Sequence, residues 1–403
     1  MTSAGWFDQS RIPREALSTR NVGIVGVFLG LLAFWLALPP VAARNGVWPL
    51  VVGILAVAAG IWCVSRGVTK VGWGAVVVGL LGIGFGLLAT RASEGNLDSV
   101  VVWGALLANT FLWATPLTFA ALGGMFSERS GVVNIGLEGM MLSGAFFGIL
   151  GADKLGSWEL GLVCAMVSGG LLALIHAFMS IQLRADQIVS GTAINFLALG
   201  VTGYFYIDVY GANGTPGVGL PAIPNIHLAF LGDGFFGQVF GDLNLMVWVA
   251  FALVPLSYIV MFKTAIGLRI RSVGEHPRAA DTVGISVYRV RYISVVVSGV
   301  IASLGGAFLS IGYIHSFTEN LTAGRGFIGL AALIFGNWRP FGAFAAALLF
   351  GFSTALQFRV GSVWGGVGTI VQALPYLLTL IAVAGVIGRS TPPAAIGRPY
   401  KKQ

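Results

Sequence analysis

Apolar residues come in runs along the chain, separated by short polar or basic stretches. The runs fall at about 22–38, 47–64, 71–89, 100–126, 132–151, 158–182, 188–208, 244–263, 292–314, 326–337, 340–357 and 366–388. Most reach the roughly 17–25 residues that a helix needs to cross the hydrocarbon of a bilayer. Strict alternation of apolar and polar positions, the mark of a membrane barrel, is absent. Helix is then the conformation that satisfies the backbone of such runs in lipid. The pattern predicts an all-α polytopic membrane protein with about ten to twelve transmembrane helices, some of them short or broken. The run GFIGLAALIFGN, 326–337, is too short for a plain crossing. It reads as half of a broken helix, a re-entrant segment or one arm of a hairpin with 340–357.

Composition supports lipid as the solvent. The chain of 403 residues is 56% hydrophobic and 9% charged, with a mean hydropathy of +0.88, where soluble domains carry about 25% charged residues. The net charge of +8 would suit nucleic acid, but the basic residues flank apolar runs, so nucleic acid is not an expected partner. With twelve crossings and the N-terminus inside, 18 of the 23 Lys and Arg fall on the cytoplasmic side, as the positive-inside rule requires. Both termini are then cytoplasmic. The stretch 211–243 has no Lys or Arg and carries Asp233 and Asp242, which suits the outer face. The first 20 residues are polar and lack a cleavable signal pattern.

The unusual features lie in one part of the chain. Residues 1–95 read as a tail and a three-helix N-terminal addition, 96–390 as a transport core, and 391–403 as a cytoplasmic tail. Two Gly-interrupted segments, 131–144 and 324–338, sit in different halves of the core. Such pairs point to a solute route in transporters built from repeats. Polar groups at membrane depth include Asn109, Thr110, Asn134, Glu138, His176, Gln187 and Asn195. An ionised carboxylate there costs several kcal/mol unless it is paired or hydrated. In NIGLEGMMLSGAF, 134–146, helical spacing puts Asn134 and Glu138 on one face. Glu138 has three readings: it sits near the cytoplasmic helix start, it is protonated or pairs with Arg129, or it lines a polar cavity. Asn109, Phe111, Asn134, Glu138 and Asn195 are the candidates for a solute pathway. His176 reads as a packing histidine, and Phe111, Trp113 and Phe196 as rings that either stack on a solute or pack.

The loop TAIGLRIRSVGEHPRAADTVGISVYRVR, 264–291, carries a second pattern. Pro277 suits the first turn of a helix, Ala279 and Ala280 favour its interior, and Gly284 suits its end. A helix of about two turns, 277–283, is predicted between two crossings. The chain has no phosphate loop, since none of its five lysines follows a glycine. Nucleophile-elbow and zinc-protease motifs are absent, and Cys63 and Cys164 have no metal-ligand spacing.

Together, SERSGVVNIGLEGMMLSGAFFG (127–148) and GEHPRAADTVGIS (274–286) resemble the permease subunits of bacterial ABC importers for branched-chain amino acids, simple sugars and nucleosides. The nucleoside and simple-sugar branch is the most similar, over about 100–388. The resemblance implies a multi-pass protein of the bacterial plasma (inner) membrane, in contact with lipid, and no enzyme in itself. It implies a homologous or identical second permease, an extracytoplasmic solute-binding protein, and cytoplasmic ATPase subunits that bind the ATP and Mg; this chain would hold no cofactor. Glu275, Pro277, Arg278, Ala279, Ala280 and Gly284 would form the coupling helix that docks in the ATPase. Arg278 stands where that motif places an acid, and His276 where Asn is common. The solute would be a nucleoside, or alternatively a simple sugar, moved by alternating access. A rival reading is an ion-coupled secondary transporter with Glu138 as the titrating group.

Overall fold

The computed structural model describes residues 19–36, 46–92, 102–211, 214–216, 219–361 and 391–402. The predicted crossing at 366–388 lies outside them. The chain divides into two compact units, Met1–Trp103 with Leu356–Arg389, and Gly104–Ala355 with Ser390–Gln403.

The first unit holds α1 (Thr19–Trp35), α2 (Val47–Ser65) and α3 (Thr69–Ala92). Their outer faces are apolar, with Phe28, Trp48, Ile54 and Leu80 exposed, as lipid contact requires. The inner faces meet through glycine. A Cβ on Gly30 would lie 2.7 Å from the backbone N of Gly79, and one on Gly60 would lie 2.7 Å from that of Val76. Small residues let membrane helices approach backbone to backbone, where dispersion and not water supplies the attraction.

The second unit runs α4 (Trp103–Arg129), α5 (Leu137–Leu155), α6 (Trp158–Ala177) and α7 (Gln187–Tyr210). It continues with α8 (Phe235–Phe240), α9 (Leu245–Lys263), α10 (Ala265–Glu275), α11 (Pro277–Thr282), α12 (Val287–Ala307), α13 (Arg325–Phe335) and α14 (Pro340–Gly361). Local chemistry sets several starts. Ser157 accepts from the Leu160 N–H, Asp186 from those of Ile188 and Val189, and Asn244 from that of Met246. Two strands, β1 (Asn225–His227) and β2 (Asp242–Asn244), pair antiparallel with Ile226 opposite Leu243. They lie in and at the end of the stretch 211–243, which the sequence alone reads as a loop.

Among the described residues, seven helices are long and apolar enough to cross a membrane: α2, α4, α6, α7, α9, α12 and α14. α6 and α12 are extended by a π-helical turn at their ends, Phe178–Gln182 and Phe308–Ile314. The chain is therefore a mostly helical, multi-pass membrane protein, with one small strand pair among the described residues. α4 and α12 are the most enclosed of the seven. With α5 they carry the core: Phe119, Leu122 and Met125, then Met140, Met141 and Phe146, then Ala302 and Phe308. α6 and α7 turn Leu171, Val189 and Phe196 outward. The groove among α5, α6 and α7, about 710 Å³, is lined by side chains such as Phe147, Leu150, Val167 and Leu172, a surface suited to acyl chains and not to a polar solute.

Candidate functional site

The predicted helix 132–151 starts late. α4 ends at Arg129, α5 begins at Leu137, and the residues between them are not helical. Asn134 and Glu138 therefore share no helix face, contrary to the spacing argument. The break is deep in the unit. Asn134 donates to Ser298 Oγ at 2.9 Å, and Ser298 lies eleven residues into α12, about 16 Å along it at 1.5 Å per residue. That is near the middle of a hydrocarbon layer about 30 Å thick.

Unwound backbone at that depth needs partners from the protein, because lipid offers none. The polar residues of the neighbouring helices supply them. Gln187 Oε1 accepts from the Val133 N–H at 2.8 Å, and His176 Nε2 reaches the Val133 carbonyl at 2.9 Å. A carbonyl only accepts, so Nε2 carries the proton and Nδ1 accepts from Ser190 Oγ at 3.0 Å. Asn195 does both jobs: its amide donates to the Ile135 carbonyl at 3.0 Å, and its Oδ1 accepts from the Gly139 N–H at 2.8 Å. The latter is one of the unpaired donors at the start of α5, so a side chain of α7 caps that helix.

Glu138 does the same for α13. Its Oε1 accepts from Thr322 Oγ1 at 2.5 Å and the Gly324 N–H at 2.8 Å, and its Oε2 from the Gly326 N–H at 2.6 Å. A carboxylate offers acceptors only, and three donors meet it. The negative charge also sits at the positive end of the helix. Gly324 precedes α13 with φ +84°, a conformation that favours glycine. Gly326 is required for a different reason, since a Cβ there would lie 2.6 Å from Glu138 Cα. No ion pair joins Glu138 to Arg129 among the described residues. Arg129 instead donates to the Trp338 carbonyl at 3.0 Å and the Asn337 carbonyl at 3.4 Å.

Those contacts close the other end of α13. The turn from α13 to α14 places Asn337 and Trp338 at φ +53° and +51°, each a strained conformation worth of order 1–3 kcal/mol. Glu128 holds it by accepting from the Trp338 indole N–H at 2.6 Å. α13 is thus an eleven-residue half-helix, about 16 Å long, with Glu138 at its deep end and Glu128 and Arg129 at its shallow end. The two Gly-interrupted segments that the sequence places in different halves, 131–144 and 324–338, grip one another. The stretch 326–337 is a short helix that turns through 336–339 into α14, a shape common to the three readings open for it.

The rest of the candidate pathway set is less occupied. Phe111 packs against Phe240 and Phe251, at centroid distances of 5.5 and 5.0 Å, so its ring faces are taken. Asn109, one turn before Trp113 on α4, is half-buried and makes no side-chain hydrogen bond among the described residues. Arg325 lies over the Trp113 ring at 5.3 Å. Phe196 is exposed on the outer face of α7.

The loop 264–291 is more ordered than its polarity suggests. The predicted helix is there as α11, one residue shorter, and the stretch before it is also helical, α10, with Thr264 capping Gly267. Pro277 opens α11, and Gly284 follows it with φ +85°. Glu275, Arg278, Ala279 and Gly284 are exposed, and Val283 is 75% exposed. Ala280 faces inward onto Val273, Val287 and Tyr400.

The family model described as branched-chain amino acid transport system / permease component matches residues 106–383. The chain belongs to this permease family. Guanosine ABC transporter permease protein NupQ of Bacillus subtilis (strain 168) is 45% identical over 322 residues, which cover 76% of this permease and 99% of NupQ. Nucleoside ABC transporter permease protein NupC of Lactococcus lactis subsp. cremoris is 40% identical over 313 residues, 74% of this chain and 96% of NupC. A putative glucose ABC transporter permease, TsgC13 of Haloferax volcanii, is 36% identical over 259 residues, 63% of this chain and 77% of TsgC13. No solved structure shows a significant match. The permease is a transport component and not an enzyme.

Sequence reasoning missed Glu128, Thr322, Trp338 and Gly326. Glu128 sits at the very end of an apolar run, where an acid reads as flank. Its partner Trp338 is 210 residues away, and a single sequence carries no sign of that pairing.

Proposed function

We propose that this permease is one of two subunits that line the pathway of an ATP-driven importer for nucleosides. The observation that carries the reading is the match, over nearly their whole length, to NupQ and NupC, which are named as guanosine and nucleoside permeases. Separate ATPase subunits bind the ATP and Mg, consistent with a chain that has no phosphate loop. A solute-binding protein delivers the nucleoside outside. The second permease is homologous or identical.

The charge asymmetry supports ten to twelve crossings with both termini in the cytoplasm. Residues 1–95 are an addition to the core, since the family match begins at residue 106. α11 is the coupling helix. It offers Ala279 and Val283 as an apolar tip beside Arg278, while Glu275, Pro277, Ala280 and Gly284 shape and seat it. The pathway follows the deep start of α13, the arrangement by which interrupted helices present polar groups at mid-depth. Glu138, Asn134 and Asn195 hold its walls, Phe111 packs behind it, and Asn109 is the group left to meet solute.

TsgC13 favours simple sugar as the second reading, and competition separates the two. In vesicles carrying the assembled importer, binding protein outside and ATP inside, uptake of labelled guanosine is expected to survive a large excess of glucose and to fall with excess unlabelled nucleoside. Glucose uptake that nucleosides leave untouched would overturn the choice of solute.

A further inference from the structure

The C-terminal tail, TPPAAIGRPYKK over 391–402, is docked on the core, and its contacts follow a line. Thr391 N–H donates to Asn337 Oδ1 at 2.8 Å, in the strained turn after α13. Ala394 N–H donates to Glu275 Oε2 at 3.1 Å, and Ala395 N–H to the Gly274 carbonyl at 2.9 Å, both at the end of α10. Gly397 N–H donates to the Gly131 carbonyl at 3.1 Å, at the start of the break between α4 and α5. The Arg398 carbonyl accepts from Arg291 Nη1 at 3.0 Å. Tyr400 packs on Tyr288 with centroids 5.6 Å apart, and its hydroxyl lies beside the Asp281 carboxylate of α11. Ten residues thus touch the break, both helices of the cytoplasmic handle, the start of α12 and the turn after α13.

Two further observations show that the core is built around this tail. Arg291 is 1% exposed, and among the described residues its Nε and Nη2 have no hydrogen-bond partner. The tail's carbonyl is the acceptor that a buried guanidinium needs. Ala280, the inward residue of α11, rests on Val273, Val287 and Tyr400. Within this small core, α11 therefore leans on the tail as well as on its own neighbours. Pro392, Pro393 and Pro399 stiffen the tail by fixing their φ angles, as a strut requires.

We propose that residues 391–400 are the strap through which displacement of α11 reaches the break between α4 and α5, with Tyr400 and Arg291 as its positioning residues. The proposal rests on the permease reading and adds a part to it. A push on α11 moves Tyr400. The stiff tail carries the displacement past Arg398 to Gly397, and Gly397 pulls on the Gly131 carbonyl at the mouth of the unwound segment. Without the strap, α11 still docks, but its motion reaches the break only through its neighbours α10 and α12.

The test uses the whole importer in proteoliposomes with its ATPase and binding protein. Uptake and ATP hydrolysis are measured together for wild type, Tyr400→Ala, Tyr400→Phe and a chain shortened after Arg389. The expected result is near-normal hydrolysis in Tyr400→Ala and in the shortened chain, with solute moved per ATP falling about tenfold, a common size for coupling between sites. Tyr400→Phe, which keeps the ring on Tyr288, is expected to stay close to wild type. An unchanged ratio in Tyr400→Ala would overturn the proposal, as would an equal loss of uptake and hydrolysis, since that marks a merely structural tail. If the shortened chain fails to reach the membrane, the two point variants decide. Failure of the wild type to couple nucleoside uptake to ATP would instead sink the permease reading and leave the strap contacts as described.

Discussion

Replacing Glu138 with alanine is expected to abolish transport by destroying the start of α13. The substitution leaves Thr322 Oγ1 and the N–H groups of Gly324 and Gly326 without their acceptor, in a site where Glu138 itself is 7% exposed. Each buried donor left without its acceptor costs about 1–3 kcal/mol, and three together are a large part of typical stability. The variant should accumulate poorly, and what is purified should unfold at a lower temperature. Glu138→Gln separates this account from a proton-carrying role. Its carbonyl still serves one side of the site, while its amide meets an N–H head-on, a loss of roughly 1–3 kcal/mol. Uptake per folded Gln variant should remain substantial. A well-folded Gln variant with no uptake would assign the acid to chemistry instead of architecture.

The second large effect is expected at the tip of the handle. Val283 is 75% exposed beside Ala279 and Arg278, although Val273, Ala280 and Val287 of the same loop are buried. Val283→Asp should leave membrane abundance and thermal unfolding unchanged, because nothing in the permease encloses that side chain. ATP-driven uptake should fall at least tenfold, since an unpaired carboxylate in an apolar docking cleft costs several kcal/mol. Co-purification of the ATPase should weaken in step. Ala280→Asp is a poorer probe, because Ala280 is buried against Val273, Val287 and Tyr400 and its loss damages the handle itself. Normal uptake by a folded Val283→Asp permease would remove α11 from the docking surface.

Much of the fold could be read from the sequence because lipid enforces one rule: long apolar runs must be helical. The two-turn helix at 277–282 was also legible, since Pro277, the alanines and Gly284 act locally. The site was legible as a set of residue types and not as a geometry. Asn134, Glu138, His176, Gln187 and Asn195 stand out as polar groups at depth, but His176, Gln187 and Asn195 hold backbone atoms of a segment that helical periodicity treats as helix, while Asn134 and Glu138 reach Ser298 and the start of α13, more than 160 positions away. The break at 130–136 is stabilised by residues 43 to 60 positions away, and no local propensity encodes that. The same holds for the tail, whose polar and proline-rich sequence reads as a free end until Gly131, Arg291 and Tyr288 are placed beside it.

The central claim is that ATP, and not an ion gradient through Glu138, drives the solute across. Vesicles containing the assembled importer test it directly, with labelled nucleoside outside and ATP inside, when an ionophore collapses the proton and sodium gradients. The account predicts that the initial uptake rate stays at its control value and vanishes when ATP is omitted. Uptake that collapses with the gradient and persists without ATP would contradict it.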